Sequence, residues 1–542
     1  MEFNLADLFE HAVDNFGDRE YLVAEGRRRT YAEMDARANQ LAHHLAGQGI
    51  GPGDHVGIYG VNSAEWVESL WAVFKLRAVW ININYRYVED ELAYLFGNAD
   101  LKALIHDAAF ADRVAGVADH MPELRHRLVI GGDYEDALAG GSPERDFGPR
   151  SPDDRYILYT GGTTGMPKGV VWRHEDVLFA LGGGIDILSG DRAQAPEDLV
   201  ARGHRAGFAL TFLPIAPLMH GATQWAVMGQ SFQGHRVLLM SQFDPHEVWR
   251  LVEAERANSL LMTGDAMARP LVEALDEEPS ASRDLSSILS LSSTAAIFSP
   301  SLKDQFLERF PNVVITDAVG SSEGGANGVV VVEKGRTAMR GGPTVSPVEG
   351  TVVLDDELRP VAPGSGVIGR VARSGDIPLE YYGDPVKTAA TFVEVEGTRY
   401  VIPGDLAMVE ADGSVTLLGR GAQSINSGGE KIFPEEVEAA VKSHPAVYDA
   451  VVVGVPDERW GQRVAAVVQP RPGTTADLTS VQEHCRTKIA GYKVPRELHV
   501  VEHMQRSPSG KADYPWASKV ARGEAGAPAD RSSEPASPRT PS

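Results

Sequence analysis

The chain has 542 residues, too many for one compact domain, and its 43% apolar content supplies material for a large core. Its 51 basic and 75 acidic residues leave a net charge of −24. That balance excludes general binding to nucleic acid or to an anionic membrane surface, so any anion has to be held by local donors.

A single cysteine, Cys485, excludes an intrachain disulfide and a cysteine-built metal site, and it suits a reducing compartment. Residues 1–4 lack the basic and apolar regions of a signal peptide, and no apolar run is long enough to span a bilayer. A cytoplasmic setting without an integral membrane segment is expected.

In chain order, Leu5, Leu8, Phe9, Ala12 and Val13 recur at helical spacing. Thr30 and Glu33 form a capping box for a helix carrying Met34, Leu41 and Leu45, which Gly47 or Gly49 ends. Residues 56–59 read as a strand, 66–76 as a helix, and 103–106 and 128–130 as short buried strands. This βα alternation predicts an α/β fold with a largely parallel sheet covered by helices. Apolar runs at 156–159 and 170–172 flank a Gly/Thr loop, which predicts strand–loop–strand. Residues 413–420 read as a strand ending in a turn. The rhythm then changes to a helix at 434–443, strands at 450–455 and 464–469, and a helix at 478–489. A small α+β domain is expected there, with its boundary at residues 420–423. The tail 522–542 is rich in Ala, Ser, Pro and Gly and has no apolar period, so disorder is expected.

The strongest chemical signal is Tyr159-Thr-Gly-Gly-Thr-Thr-Gly-Met-Pro-Lys-Gly169. Its glycines let the backbone approach an anion closely, with successive amides turned inward as a nest. Thr160, Thr163 and Thr164 add hydroxyl donors and Lys168 adds a charge. A flexible linker is the bland alternative, but generic linkers do not lie between two apolar strands. Nor is this a Walker loop, because Lys168 is followed by Gly169. Glu323 follows the small-residue turn Gly320-Ser321-Ser322. A carboxylate there suits Mg²⁺, which favours one or two carboxylates plus phosphate oxygens, although a lone glutamate is ordinarily solvated. Asp405 follows Gly404, and its two acceptor oxygens suit either paired ribose hydroxyls or a turn. Lys511 ends the turn Ser507-Pro-Ser-Gly-Lys511. A mobile lysine there could meet charge developing on a phosphate, or simply be solvated.

In their order, these stretches resemble the adenylate-forming superfamily of acyl-CoA synthetases, luciferases and peptide-synthetase adenylation domains. Residues 160–169 resemble its phosphate loop, and Pro217-Leu-Met-His220 the segment near the acyl pocket. Ser293-Thr-Ala-Ala296 and Gly320-Ser-Ser-Glu323 resemble the adenine-side segments. Tyr400-Val-Ile-Pro-Gly-Asp405 resembles the ribose motif, Gly419-Arg420 the hinge entry, and residues 507–511 the catalytic-lysine motif. The likeness covers nearly everything before the tail.

The resemblance implies a large N-terminal adenylate-forming domain of stacked βα subdomains over residues 1–419. A hinge at 420–423 and a small mobile α+β domain over 424–521 would follow. ATP and coenzyme A would be co-substrates of a carboxylic acid, and Glu323 would hold Mg²⁺. Thr160, Gly161, Gly162, Thr163, Thr164, Gly165 and Lys168 would hold the phosphates. Ser293, Ala295, Asp317, Gly320, Ser321, Ser322, Asp405 and Arg420 would contact AMP. Ser427, Gly428, Gly429 and Glu430 would line the CoA passage. Lys511, Glu323 and His220 would be the catalytic residues. His220 would line the way to the acyl carbonyl, with a satisfied core histidine as the alternative, and it is not taken as a general base.

Three stretches resemble a narrower group, actinobacterial acyl-CoA synthetases, including those that activate steroid side-chain acids such as 3-oxocholest-4-en-26-oate. They are Val171-Trp-Arg-His-Glu-Asp176, Thr263-Gly-Asp-Ala-Met-Ala-Arg-Pro270 and Ile425-Asn-Ser-Gly-Gly-Glu-Lys431. Gly221, Ala222, Ala295, Ala296, Gly324, Gly325 and Ala326 fall in family pocket segments and would leave room for a bulky or long acyl group. The chain departs from common family usage at Gly161, Val319, Ala422, Gln423 and Asn426. An acyl-AMP ligase loading a carrier protein, a luciferase-like oxidase and a non-catalytic nucleotide-binding protein stay open as alternatives, as does a homodimer.

Overall fold

The structure, a computed structural model, describes residues 3–160, 166–186, 189–205, 207–277, 283–296, 298–332, 343–420, 423–427, 430–457, 460–506 and 511–524. Of the tail expected to be disordered, residues 525–542 lie outside the described residues.

Seven strands form the first sheet among the described residues. From Arg155–Thr160 it runs in parallel through Val79–Asn82, His55–Tyr59 and Leu101–Asp107 to the edge strand His126–Ile130. On the other side Lys168–Arg173 and the two-residue strand Glu380–Tyr381 are antiparallel. The central strands are apolar and buried at nearly every position, as strands covered on both faces must be. The expected strand–loop–strand is thus an antiparallel pair, with Thr160 opposite Lys168.

A second sheet, of 15 strands among the described residues, is parallel only in part. Glu20–Ala24, Arg236–Leu239, Thr211–Pro214, Ser259–Met262, Ser290–Thr294 and Val314–Ser321 run in parallel. From Gly325–Val332 onward the pairing turns antiparallel through Thr344–Pro347, Val415–Arg420 and Asp405–Val409. The expectation of a largely parallel sheet fails here for a simple reason. Short connections such as Ser322 to Gly324 leave no room for the crossover that parallel strands need.

Helix Ala64–Lys75 packs on both sheets, and all its residues are buried. Its charged side chains are matched individually. Glu65 meets Arg27, Glu68 meets Arg37 at 2.6 Å, and Lys75 meets Glu10 and, at 2.8 Å, Asp35. Unpaired, such groups would carry a large desolvation cost. The helix Tyr31–Gly47 beside it starts at the predicted capping box, where Thr30 and Glu33 exchange bonds of 2.8 and 3.1 Å.

Among the described residues, the last part has its own five-stranded sheet and two cores. Along Val447–Asp457 side chains alternate with period two. Ala450 and Val452 join Val437, Val441, Val481 and Cys485 under helices Pro434–Lys442 and Leu478–Arg486. Val451, Val453 and Val455 face Ala517 of helix Tyr514–Ala521. The helix expected to reach residue 489 ends at Arg486.

One buried polar side chain ties the first sheet to the site. Asn82, 3% exposed, donates to the carbonyls of Tyr159 (2.9 Å) and Met219 (2.7 Å) and accepts from the Tyr159 N–H at 2.8 Å. It joins the entrance of the Gly/Thr loop to the segment before His220. Asn82→Ala would strand these backbone groups, each costing about 1–3 kcal/mol. A clearly lower urea midpoint for the large part is expected, and an unchanged midpoint would show that the bonds contribute nothing.

Candidate active site

Two adjacent cavities lie where the parts meet. The larger, about 990 Å³, is walled by Thr160, Met219, His220, Gly221, Ala295 and Ser322 of the large part, and by Lys511, Ala512 and Tyr514 of the small one. The smaller, about 190 Å³, is walled by Phe298, Asp317, Asn327, Asp405, Leu417 and Glu435. Ala295, Ala318, Val319 and Gly320 border both.

The wall between them is the hairpin of Val314–Ser321 and Gly325–Val332. Gly320 is required by close approach, since a Cβ there would lie 2.2 Å from the Gly325 carbonyl oxygen. Ser321 Oγ accepts the Gly324 N–H at 2.9 Å, and Trp172 Nε1 donates to the Ser322 carbonyl at 3.1 Å. Glu323 sits at the tip, with Oε1 accepting from the Tyr381 hydroxyl at 2.9 Å. Gly324 and Gly325 line neither cavity. A Cβ on Gly325 would meet Ala180 Cβ at 2.8 Å, so that glycine serves packing rather than cavity width. Gly221, Ala222 and Ala326 do border the main cleft.

His220 precedes helix Gly221–Phe232 and faces the same cleft as Lys511. Its buried Nε2 has no hydrogen-bond partner, so the satisfied core histidine is set aside. Burial above all, then the charges of Lys511 and Arg86, push its pKa down to about 3. It is a neutral imidazole at pH 7.

Ser293 lines neither cavity: its hydroxyl accepts the Gly264 N–H at 3.1 Å. Asp317 does face the smaller cavity, but its carboxylate is engaged by Lys303 Nζ at 2.6 Å, and burial raises its pKa. Ala295 holds φ +66°, unusual for a residue with a Cβ. Asp405 stands opposite Arg420 in register. Ser427 pairs with Glu430 and Gly461 away from both cavities. Gly161 to Gly165, Ala422, Gly428 and Gly429 lie outside the described residues, as do the side chains of Arg420 and Glu430.

Several residues here carry no sequence signal. Arg506 and Ala512, on either side of Lys511, form an isolated antiparallel bridge. Arg506 grips Asp449 through two bonds of 2.6 Å. Although burial opposes ionisation, Lys442 and Arg506 hold the Asp449 carboxyl down at about 2. Glu435, at the start of helix Pro434–Lys442, looks from sequence like a surface acid favouring the helix dipole. In the structure its carboxyl lies against Gly419, where a Cβ would come within 2.4 Å of it, and Oε2 has no partner.

The chain matches the model of the AMP-binding enzymes over residues 9–382 and that of the AMP-binding enzyme C-terminal domain over 436–511. It belongs to the AMP-binding enzymes. Within that family it is an acyl-CoA ligase, AMP-forming, with ATP and CoA as co-substrates. It is 52% identical to a 3-oxocholest-4-en-26-oate–CoA ligase of Rhodococcus rhodochrous, over 95% of this chain and 96% of that one. It is 51% identical to a medium/long-chain-fatty-acid–CoA/3-oxocholest-4-en-26-oate–CoA ligase of Mycolicibacterium smegmatis, over 96% and 97%. The ATP-bound MatB structure from Rhodopseudomonas palustris shares the fold, with TM-score 0.81 and 24% identity over 95% of this chain and 99% of that one. Among the described residues no helix is long and apolar enough to cross a membrane.

Glu435 carries a pH prediction. Burial first, then Glu438 and Asp405, push its pKa from an ordinary 4.5 up to about 8. Part of that burial comes from Gly419 of the large part, so separating the parts would let this carboxyl ionise more readily. The contribution of this proton to holding the parts together is full below about 4.5 and is lost as pH rises through about 8. A fluorescence donor–acceptor distance between the two parts should lengthen from pH 7 to 9. In Glu435→Gln it should stay constant, and the same lengthening in both proteins would refute the assignment.

Proposed function

We propose that this acyl-CoA ligase activates a long-chain fatty acid or a steroid side-chain acid, first as the acyl-adenylate and then as the CoA thioester. The observation that carries this is the convergence of Lys511 with Thr160 and His220 in one cleft that lies against the Asp405 cavity. The substrate class follows the names of the relatives at 51–52% identity. Leu181, Met219 and Trp225 give the cleft apolar surface, and Gly221, Ala222 and Ala326 give it width. Its volume of about 990 Å³ is at the upper end of the range for small-molecule sites.

In the first step the carboxylate attacks the α-phosphorus of ATP and pyrophosphate leaves. Thr160 and Lys168, facing each other across the base of the loop, hold the phosphates. Asp405 and Arg420 hold the ribose, and Ala295, Val319 and Gly320 border the adenine. Glu323 fits Mg²⁺: one carboxylate at a hairpin tip, with Oε1 bonded to Tyr381, leaves Oε2 for a cation whose other ligands are phosphate oxygens and water. When bound, Mg²⁺ would draw charge from the phosphates. Lys511 meets the charge that develops at the α-phosphate. Neutral His220 lines the path without setting a second cation beside Lys511. The small part then turns about residues 420–423, withdrawing Lys511 and bringing the segment 427–430 to the path of the CoA thiol. The buried Cys485 and the demand for ATP and CoA suit the cytoplasm.

Lys511→Ala should lower acid-dependent pyrophosphate release at least about 100-fold, the loss typical of a charge-stabilising donor. Thioester formation from supplied acyl-AMP should be largely spared. Unimpaired pyrophosphate release would refute the role. Pyrophosphate release across short, medium, long-chain and steroid acids tests the substrate class, which fails if only short acids respond.

A further inference from the structure

Tyr381 belongs to none of the stretches that carry the proposed chemistry, yet its hydroxyl donates to Glu323 Oε1 at 2.9 Å from a residue 58 positions away. It is 3% exposed. It comes from the strand Glu380–Tyr381, which pairs with Lys168–Arg173, and stands opposite Val170. The strand is clamped. The N–H groups of Leu379 and Tyr382 donate to the carbonyls of Val171 (2.7 Å) and Gly169 (2.8 Å). Arg399 donates to the carbonyls of Pro378 (2.8 Å) and Leu379 (2.6 Å). The ring packs edge-on against Phe392, with the Lys387 ammonium 4.9 Å from its centroid.

A carboxylate at a hairpin tip loses rotamer freedom when it binds a cation, and that loss weakens binding. A hydrogen bond to one oxygen settles the rotamer beforehand and leaves the other oxygen for the cation. Here the donor is fixed to the strand that leaves the phosphate loop. The geometry therefore ties the place of the cation to the place of the phosphates.

We propose that Tyr381 is a positioning residue that holds Glu323 in its cation-binding rotamer, in register with the strand that begins at Lys168. This rests on the assignment of Glu323 as the metal carboxylate. It is not itself a catalytic residue, because it acts through Glu323.

Tyr381→Phe keeps the ring, its packing and the strand pairing, and removes only the hydroxyl. Mn²⁺ binding to the full chain in the presence of ATP, read from the spectrum of free Mn²⁺, is the direct measurement. Outer-shell partners of metal ligands typically carry 10–100-fold in affinity, so a weakening of roughly that size is expected. ATP affinity in metal-free buffer should match the wild type, which also checks that the variant is folded. Raising Mg²⁺ should restore pyrophosphate release, since the defect is in cation affinity. Wild-type Mn²⁺ affinity in Tyr381→Phe, with affinity lost in Glu323→Gln, would overturn the role of Tyr381 alone. Wild-type affinity in Glu323→Gln would overturn the metal assignment, and this inference with it.

Discussion

A chain with a net charge of −24 that works on a triphosphate must gather cations against its own field. It does so locally. Lys168 comes from the first sheet and Lys511 from the small part, and Arg86 borders the cleft beside His220. Deep in the large part, arginines are committed instead to buried carboxylates, as Arg37 is to Glu68. Coulomb attraction is worth far more where water is excluded. A few cations in a cleft can therefore outweigh a large but screened negative surface.

Bringing those cations together sets the architecture. Helix Ala64–Lys75, buried between both sheets, fixes one sheet against the other, and Asn82 bonds the loop entrance to the His220 segment. The hairpin carrying Glu323 is pinned by Trp172 and by Tyr381, which come from neighbouring strands of the first sheet. Lys511 comes from the small part, where nearby Arg506 is bonded twice to Asp449. Positional precision is thus kept within each part, and freedom is left between them. An enzyme that uses one site for two successive reactions needs that division.

Glu435 marks the cost of docking. A carboxyl pressed against Gly419 and near Asp405 and Glu438 favours its protonated form. The docked arrangement is held by many contacts but opposed by this one, so its free energy can be shifted by a single protonation.

Much of this molecule follows from local rules. The Thr30–Glu33 box, the strand–loop–strand around residues 160–168 and the two long strands of the small part were all legible from the sequence, because apolar runs, caps and turns are set by neighbours a few residues apart. The order of motifs was also enough to place the chain among the AMP-binding enzymes. The antiparallel half of the second sheet was missed, because apolar strands look alike whichever way their partners run. Tyr381, Asp449 and Glu435 were missed for a related reason. Each is an ordinary residue until a partner distant in sequence reaches it: Glu323 is 58 residues from Tyr381, and Arg506 is 57 from Asp449. The sequence by itself determined the elements and the kind of chemistry, since both are written in short-range patterns. Only the tertiary structure decided which groups hold the chemical ones in place, because burial and hydrogen-bond partners are made by packing.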